Sequence, residues 1–270
     1  MRPASATHVA LGSMSDVPDH LYRDPMVINR SAEATTPYAA LLRPLDDVPA
    51  PPENLAEALG DGSAPPPPQK GMTWKREPWA RRLSVVPDVD DLLASLPGQV
   101  DRATVLESVR KSEAADRTDL AFVATMIWGY GSSGYGPYRT ARVLTGGSDA
   151  VDPTVLERLR SAARTARTQG ALSGFYAMRN LPGRVAYLGP AFFTKWLYFT
   201  TATAGPDSDD AAPVLDMRVR DWIATNAGVQ LRLDKTWAYH QYLQLLDAWA
   251  VRPAGTLSRA TVERVIFSLS

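Results

Sequence analysis

Two short segments carry groups that could do chemistry. Leu188-Gly189-Pro190 closes a loop and is followed at once by AFFTKWLYFTTA, an apolar segment typical of a helix. Proline at the first helical position leaves the next N–H groups free, and such a helix start can bind phosphate. Further on, Pro213 leads into Val214-Leu215-Asp216, which places Asp216 at the start of another helix. Its carboxylate could cap that helix or stabilise positive charge on a substrate.

Aromatic residues form a second group of candidates. The glycine-rich segment GYGSSGYGPY, residues 129–138, follows an apolar helix and contains Tyr130, Tyr135 and Tyr138. Their rings could stack on a planar ligand, and a long turn with no binding role fits the segment nearly as well. His240 lies in a segment rich in aromatic residues. Its side chain could face a ligand-binding cleft or pack in the core.

The elements that must position these residues are helices. After residue 71, apolar residues recur at three- and four-residue spacing, with frequent helix starts such as Asp152-Pro153 and stops such as Gly170. We therefore expect an all-α domain over residues 71–270. The predicted helices cover residues 101 or 104 to 113, 116–128, 153–167, 174–179, 191–200, 217–227, 235–250 and 258–267.

Proline sets the N-terminal segment apart. The runs VPAPP at 48–52 and APPPP at 64–68 cannot be absorbed by a helix or a central strand. Residues 1–70 are therefore predicted to be a Pro-rich, weakly structured arm, in which residues 38–42 and Glu53–Leu59 could form short helical pieces.

Composition excludes several classes of site. The 270 residues contain no cysteine, so disulfides, thiolate zinc sites, Cys-ligated iron–sulfur clusters and a cysteine nucleophile are impossible. Three scattered histidines predict no metal site built from side chains, and no cofactor is expected. Lys+Arg and Asp+Glu are both 29, so net charge gives no sign of a nucleic-acid partner.

Membrane and export signals are also missing from the sequence. No run approaches eighteen apolar residues, and the first residues lack the positive-then-apolar pattern of a signal peptide. We expect a soluble, cytoplasmic protein without a membrane partner, and no feature indicates an obligate protein partner.

The order of these segments resembles the helix-hairpin-helix DNA glycosylases. A glycine-containing hairpin, an apolar helix, a loop and then Pro213–Val219, PVLDMRV, are similar to the adenine and 8-oxoguanine branches of that superfamily. With the closing TVERVIF segment, residues 261–267, the likeness is strongest to a bacterial 8-oxoguanine-glycosylase-like group. That group includes anti-phage enzymes that act on modified phage bases.

The resemblance implies a helix-hairpin-helix glycosylase fold, DNA as partner and base excision as the reaction. Asp216 matches the family's catalytic aspartate, which stabilises the positively charged sugar while water completes an abasic site. Leu188, Gly189 and Pro190 would hold a DNA phosphate; Arg218 could do the same or face solvent. Hairpin carbonyls could hold a structural cation. The target base would be flipped into a pocket, for which the candidate residues are Tyr130, Tyr135, Tyr138 and His240. A modified phage base is the favoured substrate, ahead of 8-oxoguanine.

Two departures from the family pattern affect the predicted mechanism. Bifunctional members, which also cut the strand, carry a lysine two residues after the hairpin's second glycine, where this sequence has Ala191. Lys195 lies one turn further along the same helix face. It could act as a displaced nucleophile, or it could be a lysine that faces DNA or solvent. The first half of the hairpin reads Ala186-Tyr187 instead of Pro-Gly. A monofunctional glycosylase is therefore expected.

Two alternatives stay open at this point. A non-catalytic DNA-binding module of the same fold would keep the hairpin without turnover. A helical protein–protein adaptor that uses the Pro-rich arm would show no salt-dependent affinity for DNA.

Overall fold

The computed structural model describes residues 38–270, and residues 1–37 of the predicted arm lie outside the described part. Helices dominate the described residues, and the expected all-α fold is confirmed. No helix of this part is long and apolar enough to span a membrane. After a 3-10 helix at Ala39–Leu41, the helices are α1 (Glu53–Leu59), α2 (Arg76–Arg82), α3 (Val89–Ser95), α4 (Arg102–Ala114), α5 (Thr118–Tyr130), α6 (Gly136–Thr145), α7 (Pro153–Gln169), α8 (Ala171–Arg179), α9 (Pro190–Thr201), α10 (Met217–Ala227), α11 (Thr236–Ala250) and α12 (Arg259–Leu269).

The strands are short and sit at the edges of the helical body. β1 (Met72–Thr73) pairs antiparallel with β2 (Gln99–Val100), and β3 (Val251–Arg252) pairs antiparallel with β4 (Gly255–Thr256). In each pair the strands are only two residues long. They tie together segments that are adjacent in space and do not form a sheet layer of the fold.

Side-chain caps fix the starts of several helices. Asp101, Asp152, Asp216 and Ser258 each accept a hydrogen bond from a backbone N–H two or three residues further on. Such caps satisfy N–H groups that have no partner within the helix. The predicted starts of α7 at Asp152 and of α12 at Ser258 are confirmed, and α10 has the predicted bounds.

Three helices, α2, α3 and α6, were not predicted. The most relevant is α6, because it begins inside the segment 129–138 that was expected to be a loop. Pro137 is typical of the first turn of a helix. Position 136 accommodates only glycine, because a Cβ there would lie 2.6 Å from the Cβ of Tyr130. The true connection between α5 and α6 is therefore much shorter than the glycine content suggested.

Helix α9 lies at the centre of the core. It packs against α4, α5, α7 and α8, and from Phe193 to Thr201 every residue is buried. Trp196 meets Phe122 edge to face at 5.9 Å, and Phe199 meets Trp128 in the same way at 5.3 Å. Aromatic packing of this kind gives a rigid frame at one end of which the hairpin is placed.

The compact unit that contains the helices begins at Ala40, ahead of the boundary expected at residue 70. The expected helical piece Glu53–Leu59 is present as α1 and packs against α12. Further on, Arg264 of α12 donates hydrogen bonds to the carbonyls of Pro66 and Pro67. A proline-rich segment leaves its carbonyl groups without local hydrogen-bond donors. Here the guanidinium of Arg264 donates the missing hydrogen bonds.

A buried ion pair joins the first long helix to the last. Arg102 of α4 and Glu263 of α12 are 3% and 0% exposed, and they share two hydrogen bonds of 2.7 and 2.9 Å. The guanidinium lies over the ring of Tyr198 at 4.6 Å and donates to the Oε1 of Gln69 at 2.8 Å. Both charges are thus fully paired away from water.

Candidate active site

The side chains of Lys195 and Asp216 meet inside the protein. The Nζ of Lys195 lies 2.7 Å from the Oδ2 of Asp216, and the two residues are only 4% and 9% exposed. Nζ also donates to the carbonyl of Ala191 at 2.9 Å. This buried position does not fit a lysine that faces solvent, while the interpretations of Lys195 as a nucleophile or as a lysine that faces DNA stay predictions.

The two carboxylate oxygens of Asp216 have separate hydrogen-bond partners. Oδ1 accepts the N–H of Val219 at 3.2 Å and caps α10, while Oδ2 faces Lys195. Burial by itself would raise the pKa of Asp216, but the charge and hydrogen bond of Lys195, with the N–H groups of Val219 and Arg218, lower it below its ordinary value. The carboxylate is therefore ionised at neutral pH.

Hydroxyl groups hold the extended segment that leads to Asp216. Thr194 on α9 accepts the N–H of Leu215 at 3.3 Å, so the two elements that carry the ion pair are joined one residue away from it. Because hydroxyls can donate and accept, they satisfy backbone groups that no helix or strand would bond here. The other bonds are those of Thr201 to the Ala212 N–H and of Tyr239 and Tyr242 to the carbonyls of Pro213 and Val214, each 2.8 Å.

Gly129, in the last turn of α5, makes room for Lys195. A Cβ at position 129 would lie 2.9 Å from the Cδ of Lys195 and 3.5 Å from the ring of Phe192. Nothing in the sequence argument singled out Gly129 or Phe192. A signal was present, because glycine inside an apolar helix costs about 1 kcal/mol relative to alanine and its presence there calls for a packing reason.

Replacing Gly129 by Ala should therefore displace Lys195 from Asp216. We expect any reaction carried out by the Lys195–Asp216 pair to slow by about tenfold or more, in line with the effect of small misplacements at active sites. The thermal midpoint should fall as well, because the displaced pair leaves buried charges without their partners, and circular dichroism checks that the variant is folded. Gly134→Ala is the matched control, since nothing lies within 4 Å of its added methyl group. Equal activity of the two variants would contradict the role given to Gly129.

Aromatic rings lie close to the ion pair. Nζ of Lys195 lies 5.4 Å from the ring of Phe192 and 5.9 Å from that of Trp128. Tyr130 stacks on Phe192 with ring centroids 4.1 Å apart, and burial raises the pKa of Tyr130 to about 12. Of the three tyrosines selected from the sequence, the structure brings Tyr130 next to the ion pair, through Phe192.

The hairpin presents backbone groups at the start of α9. Gly189 is exposed and is the N-cap, Pro190 is the first helical residue, and the N–H groups of Phe192 and Phe193 bond back to the Gly189 carbonyl at 3.0 and 2.9 Å. The N–H of Ala191 has no intrahelical partner at this position and is available for a ligand. The N–H of Leu188, which is buried, makes a long bond of 3.5 Å to Val185 instead.

The hairpin carbonyls were expected to hold a structural cation if one binds. Two of them are bonded to guanidinium groups: Arg158 donates to the Arg184 carbonyl at 3.1 Å, and Arg139 to the Tyr187 carbonyl at 2.8 Å. A second positive charge on these oxygens would be repelled, so these two carbonyls do not fit a metal site. Within residues 38–270 no three acidic or histidine side chains form a metal-binding group either.

The remaining candidates lie elsewhere in the fold. Arg218 donates to the carbonyls of Phe267 and Ser270 and lies over the Phe267 ring, so it joins α10 to the end of α12. His240 is buried in α11. Tyr135 and Tyr138 are exposed and contact arginines of α6.

Comparison with known families gives a match. Residues 65–267 match the family described as "Putative 8-oxoguanine DNA glycosylase OGG-like protein". The chain belongs to this family. Neither the curated proteins nor the solved structures gave a match. The matched OGG-like region starts at residue 65 and includes the hairpin, Lys195 and Asp216, together with the prolines that bind Arg264.

Proposed function

We propose that this protein is a DNA glycosylase in which Asp216, paired with Lys195, breaks the N-glycosidic bond of an extruded nucleotide. The observation that carries this proposal is the buried ion pair next to the hairpin of an OGG-like chain, with 2.7 Å between Nζ and Oδ2. Burying two charges is costly, and replacing such a pair by apolar residues is often neutral or stabilising. A site with perturbed charges of this kind therefore favours a catalytic role.

The proposed chemistry follows from where charge develops. As the bond between C1′ and the base weakens, its electron pair leaves with the base and positive charge grows on the sugar. A carboxylate held in a water-poor site stabilises this charge strongly, because little has to reorganise. Asp216 is ionised before the reaction begins, and Lys195 and the α10 N–H groups fix the orientation of its oxygens. Water then adds to C1′ and leaves an abasic site.

The hairpin and the aromatic rings serve extrusion of the nucleotide. Gly189 and the N–H of Ala191 would bind a phosphate at the start of α9, where the helix dipole also favours an anion. Tyr130 and Phe192 offer π-faces near the ion pair on which an unpaired base could stack. The hairpin precedes α9, and Asp216 caps α10, the next helix. The residues that would bind the DNA backbone and the residues that would carry out the reaction are therefore held by consecutive helices.

A second candidate activity is strand cleavage after base removal. The short contact between Nζ and the Asp216 carboxylate favours it, because the carboxylate could accept a proton from the amine. Neutral Lys195 would then attack C1′ and expel the base with the bonding electrons. The C1′–O4′ bond would break next, with its electron pair going to O4′, which takes up a proton, and the resulting imine leads to β-elimination. This would replace the monofunctional reaction expected from Ala191.

Borohydride trapping separates the two activities. Lys195→Gln should lower base release by about 10²-fold or more in either case, because Asp216 loses its cationic partner. If Lys195 attacks C1′, the wild-type protein becomes covalently bound to abasic DNA in sodium borohydride and the variant does not. If water attacks, no adduct forms and the strand breaks only after alkali. An adduct that persists in Lys195→Gln would contradict the role of this lysine.

The substrate base follows from the family more than from the geometry. The family description supports 8-oxoguanine, while the preference for a modified phage base and an anti-phage role rests on the sequence resemblance alone. A first test incubates the protein with DNA that contains 8-oxoguanine and with phage DNA that contains modified bases, and then adds alkali. Alkali-labile breaks at one of these bases support the glycosylase, and unbroken DNA in both samples counts against it.

A further inference from the structure

Three arginines and three tyrosines form an exposed group next to the hairpin, separate from the Lys195–Asp216 pair. We call this group the Arg/Tyr surface. It is built by the C-terminal end of α2, by α6 and by the residue before Leu188. Its members are Arg82, Tyr135, Tyr138, Arg139, Arg142 and Tyr187.

Tyrosine hydroxyls hold the guanidinium group of Arg142. It donates to the hydroxyl of Tyr138 at 2.7 Å and to that of Tyr187 at 3.3 Å, and its Cζ lies 4.3 Å from the Tyr187 ring centroid. A hydroxyl orients the guanidinium without neutralising it, unlike a carboxylate. Two of its five N–H donors are used in these bonds, so the others stay available for an anion.

Arg139 ties this surface to the hairpin. Its Nε donates to the carbonyl of Tyr187 at 2.8 Å, and its Nη1 to the hydroxyl of Tyr135 at 3.3 Å. Tyr187 has φ of +63°, a left-handed conformation that costs energy for a residue other than glycine. That conformation is held directly before Leu188-Gly189, so the Arg/Tyr surface and the phosphate-facing end of α9 are continuous.

The positive charge of this surface is not paired with a carboxylate of the described residues. Within the described part of the chain, Arg82, Arg139 and Arg142 make no ion pair, whereas Arg102, Arg117 and Arg264 each bind a carboxylate. Arg82 and Arg142 also line an open groove of about 560 Å³ with Tyr138, Thr145 and Ser148, in which Asp149 is the one carboxylate of the described lining residues. Tyr135, Tyr138 and Tyr187 are 53%, 38% and 38% exposed.

We propose that the Arg/Tyr surface binds phosphates of the DNA backbone beyond the extruded nucleotide. The strand gripped at Gly189 would continue across Tyr187 and reach the groove between Arg82 and Arg142. This inference rests on the proposed function, because it extends the path of the same DNA strand. Uncompensated guanidinium groups match a row of phosphates, and exposed tyrosine rings beside them match sugars and bases.

The test uses a DNA duplex with a tetrahydrofuran abasic-site analogue and measures binding by fluorescence anisotropy across a range of salt concentrations. Arg82→Ala and Arg142→Ala should each weaken binding by about tenfold at moderate salt and reduce the slope of log K against log salt by about 1. Arg142→Lys should keep the slope. Arg164→Ala is the matched control, because Arg164 is exposed on α7 and lies outside the Arg/Tyr surface.

A methylphosphonate scan of the same duplex then tests for direct contact. Neutralising one phosphate should weaken binding by wild type but not by Arg142→Ala at the position that Arg142 contacts, and this pattern would not follow from a structural role alone. Circular dichroism confirms that each variant is folded. If wild type binds the duplex and the arginine variants keep the full salt slope, the inference is overturned. If wild type does not bind at all, the proposed function itself fails.

Discussion

Asp216→Asn should release its target base at least about 10³-fold more slowly than the wild-type protein, while DNA affinity changes little. Asparagine keeps the size of the side chain and an oxygen that can cap α10, so the fold around the hairpin is retained. What disappears is the negative charge that opposes the positive charge on the sugar. Single-turnover base release and anisotropy binding, measured on the same preparation, give the two quantities.

Asp101→Asn is the matched control for this variant. Asp101 caps α4 through the N–H of Thr104 at 2.8 Å but is exposed and makes no contact with the site. Its substitution changes the charge and the cap in the same way without touching the chemistry. Base release by Asp216→Asn within about tenfold of this control would show that the carboxylate is not the catalytic group.

Glu263→Gln should cost about 3–5 kcal/mol of the free energy of unfolding. The substitution leaves the guanidinium of Arg102 buried without a counter-charge, among the rings of Trp128 and Tyr198. Urea unfolding followed by circular dichroism measures the change. A loss of this size is a large part of the stability of an ordinary domain, so partial unfolding at growth temperature is expected.

Two further variants separate the charge effect from a general effect of substitution. Glu107→Gln removes an exposed carboxylate from α4 and should change the free energy of unfolding by less than about 0.5 kcal/mol. Arg102→Met combined with Glu263→Leu removes both buried charges and should recover most of the loss. If Glu263→Gln is as stable as Glu107→Gln, the pair does not hold α4 and α12 together.

Local signals in the sequence were enough to predict many of the helices. Asp152-Pro153 and Gly170 bound α7 as expected, and Asp216 caps a helix with the predicted bounds. These signals act within one turn of the helix, so they do not depend on the rest of the fold. Where local composition and tertiary packing disagree, prediction fails. The sequence predicts Gly136 to be part of a loop, but position 136 requires glycine because no Cβ fits beside Tyr130, a contact that the sequence does not reveal.

The candidate site was predicted in its parts and not in its arrangement. Asp216 and Lys195 were both selected, but no local signal indicates that a lysine 21 residues before the aspartate is buried against it. That contact depends on how α9 packs on α5, where Gly129 leaves space for the lysine side chain. Likewise, Pro66 and Gln69 are bonded to Arg264 and Arg102, which lie far away in the sequence.

The measurement that tests the central claim most directly is mass spectrometry of the free bases released from a panel of DNAs. The panel holds undamaged, oxidised and alkylated DNA and phage DNA with hypermodified cytosines, each incubated with wild type and with Asp216→Asn. The account predicts that wild type releases one modified or damaged base and that Asp216→Asn releases none while still binding DNA. Release that is equal in both proteins would contradict catalysis by the Lys195–Asp216 pair, and no release by wild type from any DNA that it binds would favour a non-catalytic DNA-binding module.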